Sequence, residues 1–378
     1  RIENDIIFPE LIIYNPDYLV NVTTIAGCFE EYGMSEKLNL INKIQPMPCT
    51  QPMLLGNFAG QMLDELSYHE KISYSDSMRR FFQKNALSFA CCQDSLTTFH
   101  IDAKNQRNII DKVIVQEKKI HQKNGKIISS EELMLEPSYF CEALGLQGRM
   151  DFVHYNLKTV IEQKSGKSAW TGKTDTAKQL QKHYVQLLLY RAIFHYAYKK
   201  LDYDDLASWL FYSKYTNGLL ELGSAPELLF KALKIRNLIV WSEKLYTKQG
   251  MFVLETLDAD RIFPYLKWGK DRINAQLGPI HKASDLEKAY YFRFMRFIAN
   301  EHMLSKVGNK TKENSGFAAM WNSTLQERKQ AGNIYDGLEI EPLKENKDVE
   351  TVKFFFAEKV DQDVSNFRVG DIVVFYPY

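Results

Sequence analysis

Cysteine is scarce in this chain, and its spacing does not suit metal chemistry. The five residues, Cys28, Cys49, Cys91, Cys92 and Cys141, show none of the paired spacings of a zinc site. Adjacent Cys91 and Cys92 are poorly placed to bond to each other. Small reduced thiols in a cytoplasmic protein are the expectation. No run approaches the ~20 apolar residues that cross a bilayer, so no membrane partner is expected. No stretch reads as a signal peptide, and the formal sequon Asn21-Val22-Thr23 is set aside for a cytoplasmic chain. Net charge is nearly absent too. The formal charge of +1 gives no global pull toward nucleic acid. The chain begins at Arg1 and ends on apolar Tyr376-Pro377-Tyr378, which is expected of a piece of a longer protein.

What is present is ordinary in amount and uneven in arrangement. At 378 residues, with 45% hydrophobic and 25% charged, the chain suits two or three globular domains with a sizeable core. Charge gathers locally, with six lysines between Lys158 and Lys182 against Glu162 and Asp175. A solvated loop explains such a run equally well.

The organising stretch is Gly148 to Arg191. Short apolar, partly β-branched runs at 152–153 and 159–161 predict two strands, and Tyr155-Asn156-Leu157-Lys158 predicts a turn. Centring the hairpin on Asn156 and Leu157 pairs Val153 with Val160 and Asp151 with Glu162. Side chains alternate along a strand, so Asp151, Glu162 and Lys164 share one face. Two carboxylates can hold a hard divalent cation, and the lysine can set a charge or a proton beside its bound water. A solvated sheet face is the bland alternative.

Asp151, then Glu162-Gln163-Lys164, then Gln186-x-x-x-Tyr190 resembles the PD-(D/E)XK nuclease superfamily. Gly145-Leu146-Gln147-Gly148-Arg149-Met150-Asp151 is similar to the approach to the metal strand in its RecB-type branch, which includes CRISPR-associated nucleases and the nuclease domains of nuclease-helicases. The resemblance covers roughly residues 52 to 222. It implies an α/β restriction-endonuclease-like core, a mixed sheet flanked by helices, and a DNA nuclease dependent on Mg2+ or Mn2+. It implies Asp151, Glu162 and the Gln163 carbonyl as metal ligands, Lys164 as a catalytic residue, and Gln186 and Tyr190 as DNA contacts. Single-stranded or flapped DNA is the expected substrate, in a larger repair nuclease with a helicase region in the parent chain. Two departures matter. The helix that carries a metal-shell His in this branch reads Gly56-Asn57-Phe58-Ala59-Gly60, so Gly60 replaces the His, with Asp64, Glu65 or a water as substitutes. Several relatives carry an iron–sulfur cluster, but no Cys follows Cys141 and Glu31 stands at the first cluster position, so no cluster is expected. Glu136 resembles an acidic residue that often precedes the Gly-Leu-x-Gly segment, although a surface glutamate also suits it. A non-catalytic DNA-binding domain is the alternative reading.

The rest of the chain fits around this core. Residues 1–50 read as a β lead-in, with strands at 6–14 and 18–25 around Asn15-Pro16-Asp17. Residues 51–330 read as the nuclease domain. Amphipathic helices are predicted over 53–68, with Leu55, Phe58, Met62, Leu63 and Leu66 buried, and over 75–90, with Met78, Phe81, Phe82, Ala86 and Phe89 as its stripe. Strands around Asn124-Gly125 are expected within 109–136. Gly166 to Thr174 resembles a phosphate loop but has five residues between Gly166 and Gly172 where four are required. Lys167 and Lys173 suit contact with a DNA backbone better. Asp175 or Thr176 is the predicted cap of a helix reaching about Lys200, striped with Leu180, Tyr184, Leu187, Phe194 and Tyr198. A closing hairpin is expected at 207–222, and a helical part at 225–330, with a polar linker between Gly308 and Gly332. Trp209, Trp241, Trp268 and Trp321 are read as core residues, with base stacking as the alternative. Residues 335–378 read as a β-barrel-like module with strands at 352–356 and 371–375.

Overall fold

The computed structural model describes residues 2–3, 6–7, 9–67, 72–116, 122–123, 126–127, 133–154, 158–173, 175–197, 206–263, 270–309, 316–341, 352–356, 365–370 and 373. The chain divides into two compact units, 1–300 and 301–378. The division falls earlier than the boundary near residue 330 that composition suggested, and residues 1–50 belong to the first unit.

The first unit is a mixed α/β structure. Its strands are β1 (Val20–Asn21), β2 (Leu133–Leu135), β3 (Ser138–Cys141), β4 (Leu146–Arg149), β5 (Phe152–His154), β6 (Thr159–Lys164), β7 (Ala207–Tyr212) and β8 (Leu219–Glu221). The main sheet runs β8-β7-β6-β5-β2, with β6 and β7 parallel and its other neighbours antiparallel. A smaller sheet runs β1-β4-β3. The helices that matter here are α1 (Val22–Ala26), α2 (Gln51–Ser67), α3 (Tyr74–Lys84), α4 (Phe99–Asp111), α5 (Gln181–Ala197) and α6 (Pro226–Gln249). Helix α5 is the crossover between parallel β6 and β7, as a parallel pair requires.

The core forms on both faces of the sheet. Phe152, Ile161, Trp209 and Phe211 pack with Leu54, Phe58 and Met62 of α2 and with Phe99 and Ala103 of α4. On the other side α5 is buried from Val185 to Phe194. Its predicted single stripe is therefore too narrow, because α1, α6 and both sheets surround it. Residue 198 lies outside the described residues.

Several expectations change for local reasons. Residues 22–26 form a helix, since Val22, Ile25 and Ala26 are buried at helical spacing and this burial overrides β-branched preference. The predicted helix over 75–90 breaks at Asn85, whose side chain donates to the Phe81 carbonyl, and resumes over Ala86–Ala90. Ser73 caps its start by accepting from the Asp76 N–H. Helix α5 begins at Gln181 rather than at Asp175 or Thr176. Ala177 N–H donates to the Asn217 carbonyl and Asn217 N–H to the Asp175 carbonyl, which holds this segment extended. The N–H of Gln181 is met by Glu31, at 3.2 Å. Within 109–136, residues 109–111 complete α4 and Lys112–Gln116 make a π-helical turn, and the described strands are the short Gln122–Lys123 and Lys126–Ile127 beside β2. Of the five thiols only Cys28 and Cys141 are buried.

Arg236 ties the lead-in to the site approach. Its fully buried guanidinium donates to the carbonyls of Asn15 (2.9 Å), Tyr18 (2.8 Å), Gly145 (3.2 Å) and Tyr14. Gly145, in a left-handed conformation (φ 62), leaves the space this arginine fills.

In the second unit, the polar stretch 308–332 contains helices Ala319–Asn322 and Leu325–Gln330, the latter closed by a Thr324–Glu327 capping box. Leu338–Ile340 pairs with Phe354–Phe356. Most of the expected strand at 371–375 lies outside the described residues. No helix among the described residues is long and apolar enough to cross a membrane.

Candidate active site

Strand β6 carries the site. Val153 pairs with Val160 and Phe152 with Ile161, the register obtained by counting from the expected turn. The turn centre, 155–157, lies outside the described residues. Asp151, one residue before β5, is held against β6. Its Oδ2 accepts the Gln163 N–H at 2.7 Å.

Glu162 and Lys164 point the same way, as alternation requires, and Lys164 Nζ donates to Glu162 Oε1 at 2.6 Å. The face is not a solvated one. Glu162 is 2% exposed. Gln186 Nε2 donates to the same Oε1 at 2.5 Å and to Tyr190 Oη at 3.2 Å, and the Tyr190 hydroxyl donates to the Arg149 carbonyl at 2.7 Å. Gln186 and Tyr190 are both buried. They hold Glu162 from behind and have no surface here for a DNA strand. Glu162 Oε2 and Gln163 Nε2 are buried with no hydrogen-bond partner.

A cavity of about 640 Å3 opens beside these residues, at the end of β6. Asp151, Gln163 and Lys164 line it, together with Gly60 and Asp64 of α2, Glu136, Arg149 and His183. Beside Gly60 there is open room, since a Cβ there would meet nothing within 4 Å. Of the substitutes for the missing His, Asp64 lines the cavity. Glu65 accepts instead from the Ser77 hydroxyl and from Gln61. Glu136, in a left-handed backbone conformation, pairs with Arg149 at 3.2 Å.

Crowding of carboxylates sets the electrostatics. Burial, then Asp151, pushes Glu162 up to about 8 against the pull of Lys164. Burial raises Asp151 as well, against Lys164 and the Gln163 N–H. Burial, then Glu136 and Asp151, lifts Asp64 to about 6. For Lys164, burial opposes the charge, but Glu162 and Asp151 outweigh it and raise the ammonium above its ordinary value. His183 is held down to about 3 by burial and by Lys164 and Lys182, so it is neutral at pH 7. Its Nδ1 lies 2.8 Å from the Tyr212 hydroxyl.

The donors suit a hard cation. Asp64 and Asp151 line the polar cavity and raise each other's charge cost, and Glu162, buried beside Asp151, keeps one carboxylate oxygen without a partner. Among the described residues no group of three or more His, Cys, Asp or Glu side chains is placed to hold one metal ion.

Lys167 and Lys173 are exposed on the loop after β6. The phosphate-loop alternative requires a helix starting at the Gly-Lys-Thr end. Here 175–177 is extended and the helix starts at Gln181. Sequence reasoning passed over Arg149 and Trp170. The first was hidden in a glycine motif, and the second in the basic loop.

No family model matches the sequence, and no curated protein matches it. Among solved structures, one named "Putative exonuclease", from Eubacterium rectale, is 13% identical with a TM-score of 0.38, covering 63% of this chain and 85% of that chain. That likeness is too slight to bear on family or chemistry.

Proposed function

We propose that this chain is a divalent-metal-dependent DNA nuclease with a PD-(D/E)XK, RecB-type core. Single-stranded or flapped DNA is the substrate, and the chain works within a larger repair nuclease-helicase. The observation that carries this reading is the register of β5 on β6. It brings Asp151 and Glu162 together, with Lys164 bonded to Glu162, at a cavity that also takes in Asp64.

Asp151, Glu162 and the Gln163 carbonyl would hold Mg2+ or Mn2+, with Asp64 reaching the same space from α2. The bound ion supplies a Lewis acid that polarises the phosphate and acidifies a water. Lys164 keeps a positive charge beside the attacked phosphorus and offsets the charge that builds there. Gln186 and Tyr190 fix the carboxylate of Glu162, so little reorganisation is left for the reaction itself. Neutral His183 adds no competing charge. The exposed lysines of the following loop, Lys167 and Lys173, meet the phosphate backbone.

A non-catalytic DNA-binding domain is the second reading. Gly60 favours it, because glycine offers no ligand atom where the family's His would stand. Labelled single-stranded DNA, incubated with the protein and Mn2+ without ATP, separates the two. Shortened DNA supports the nuclease, and intact DNA bound with undiminished affinity supports the binding domain.

A further inference from the structure

We infer that Trp170 is a stacking platform for an unpaired base of single-stranded nucleic acid leaving the cavity. The inference rests on the nuclease reading for its substrate class and on the following geometry for its site. Trp170 is 90% exposed. Among the described residues, no other large apolar side chain between Phe140 and Tyr196 is exposed. Lone exposed apolar residues are common, and this one is distinguished by its setting.

The loop that carries Trp170 is fastened. Ala169 N–H donates to the Lys178 carbonyl at 3.0 Å, and Ser168 N–H to the Tyr215 hydroxyl at 3.2 Å. The Thr171 hydroxyl lies within hydrogen-bond distance of the Lys173 and Thr176 carbonyls. Gly172 adopts φ +76, and a Cβ there would lie 3.6 Å from the Trp170 ring, so the indole rests over that glycine. A large aromatic face is thus presented to solvent on ordered backbone. Exposed Lys167, Lys173 and Lys178 stand on the same loop, and its first residues, Ser165 and Gly166, line the cavity. Aromatic face, lysines and cavity wall thus belong to one loop. Stacking on an exposed aromatic combined with phosphate-neutralising lysines is how unpaired strands are held without sequence preference. A paired base has no free face to offer, so the platform discriminates against duplex.

The test measures binding of one labelled oligonucleotide, single-stranded and as duplex, in EDTA at fixed salt. The proteins are wild type, Trp170→Ala and Trp170→Phe. Loss of a stacked base weakens affinity by about tenfold. Trp170→Ala should lose this on the single strand alone, Trp170→Phe should retain most of it, and the salt dependence should stay that of wild type. Single-strand affinity of Trp170→Ala equal to wild type, or an equal loss on duplex, overturns the platform. If wild type still cuts DNA with Mn2+, such a result removes Trp170 and leaves the nuclease standing. A wild type that neither binds nor cuts DNA removes both.

Discussion

A Cβ on Gly148 would come within 2.7 Å of a ring carbon of Tyr190, a distance carbon atoms do not tolerate. Tyr190 bonds to Gln186, and Gln186 bonds to Glu162. The glycine therefore gives the buried support of the site its room. Gly148→Ala should cost about 1–3 kcal/mol of stability through overpacking. It should also lower any cleavage rate more than DNA affinity, because it disturbs Glu162 and not the exposed lysines. Denaturant unfolding checks the first part. An unchanged midpoint would show that Tyr190 moves aside freely.

Arg236 should matter far from the cavity. Replacing it with Met removes its hydrogen bonds to four buried or half-buried carbonyls, of which those of Asn15 and Gly145 still accept from the Tyr18 and Val20 N–H groups. An unmade buried hydrogen bond costs about 1–3 kcal/mol, so a total loss of at least about 3 kcal/mol is expected. A loss below about 1 kcal/mol would contradict the role given to this side chain.

The carboxylates predict a pH dependence whose sign follows from their shifts. Asp64 sits at about 6 in the folded protein against an ordinary 3.8. The folded state thus holds this proton more tightly than the unfolded chain does. Its contribution to stability is full below about pH 4 and is lost as pH rises through 6. In EDTA, Asp64→Asn should match wild type at pH 4 or below and exceed it at pH 8, by on the order of 1 kcal/mol after allowing for solvent screening. Thermal melts of both proteins across this range measure the gap. A gap that shrinks with rising pH would reverse the assignment.

Glu162 extends the same logic to metal binding. Held up to about 8, it is largely protonated at pH 7, and an ion bound there must displace that proton. Mn2+ titrations in buffers of different ionisation enthalpy should report release of roughly one proton per ion near pH 7. Buffer-independent heats would place the ion elsewhere.

Much of the site was legible because strand pairing is arithmetic. Val153 opposite Val160 follows from two apolar runs and one turn, and the neighbours of that pair fall into place. The supporting residues were harder to read. Gln186 and Tyr190 stand one turn apart in any helix, but only the burial of α5 on every side turns them inward to Glu162. Arg236 lies 91 residues from Gly145, and nothing local marks the pair. Thr176 has good capping chemistry, yet Asn217 takes the backbone groups that a helix start would use. Nothing in the sequence around Trp170 separates it from the other four tryptophans, yet it is the most exposed of those described.

The central claim is that Asp151, Glu162 and Lys164 act together on a phosphodiester bond, and Lys164 tests it most directly. Its charge serves the reaction without being needed as a metal ligand. Cleavage of labelled single-stranded DNA with Mn2+, and affinity for the same DNA, should be measured for wild type and Lys164→Ala at one salt concentration. Loss of one transition-state stabiliser costs on the order of a hundredfold in rate, while affinity shared among several lysines should fall far less. That split is the predicted result. Equal cleavage by both proteins, or no cleavage by wild type, would contradict it.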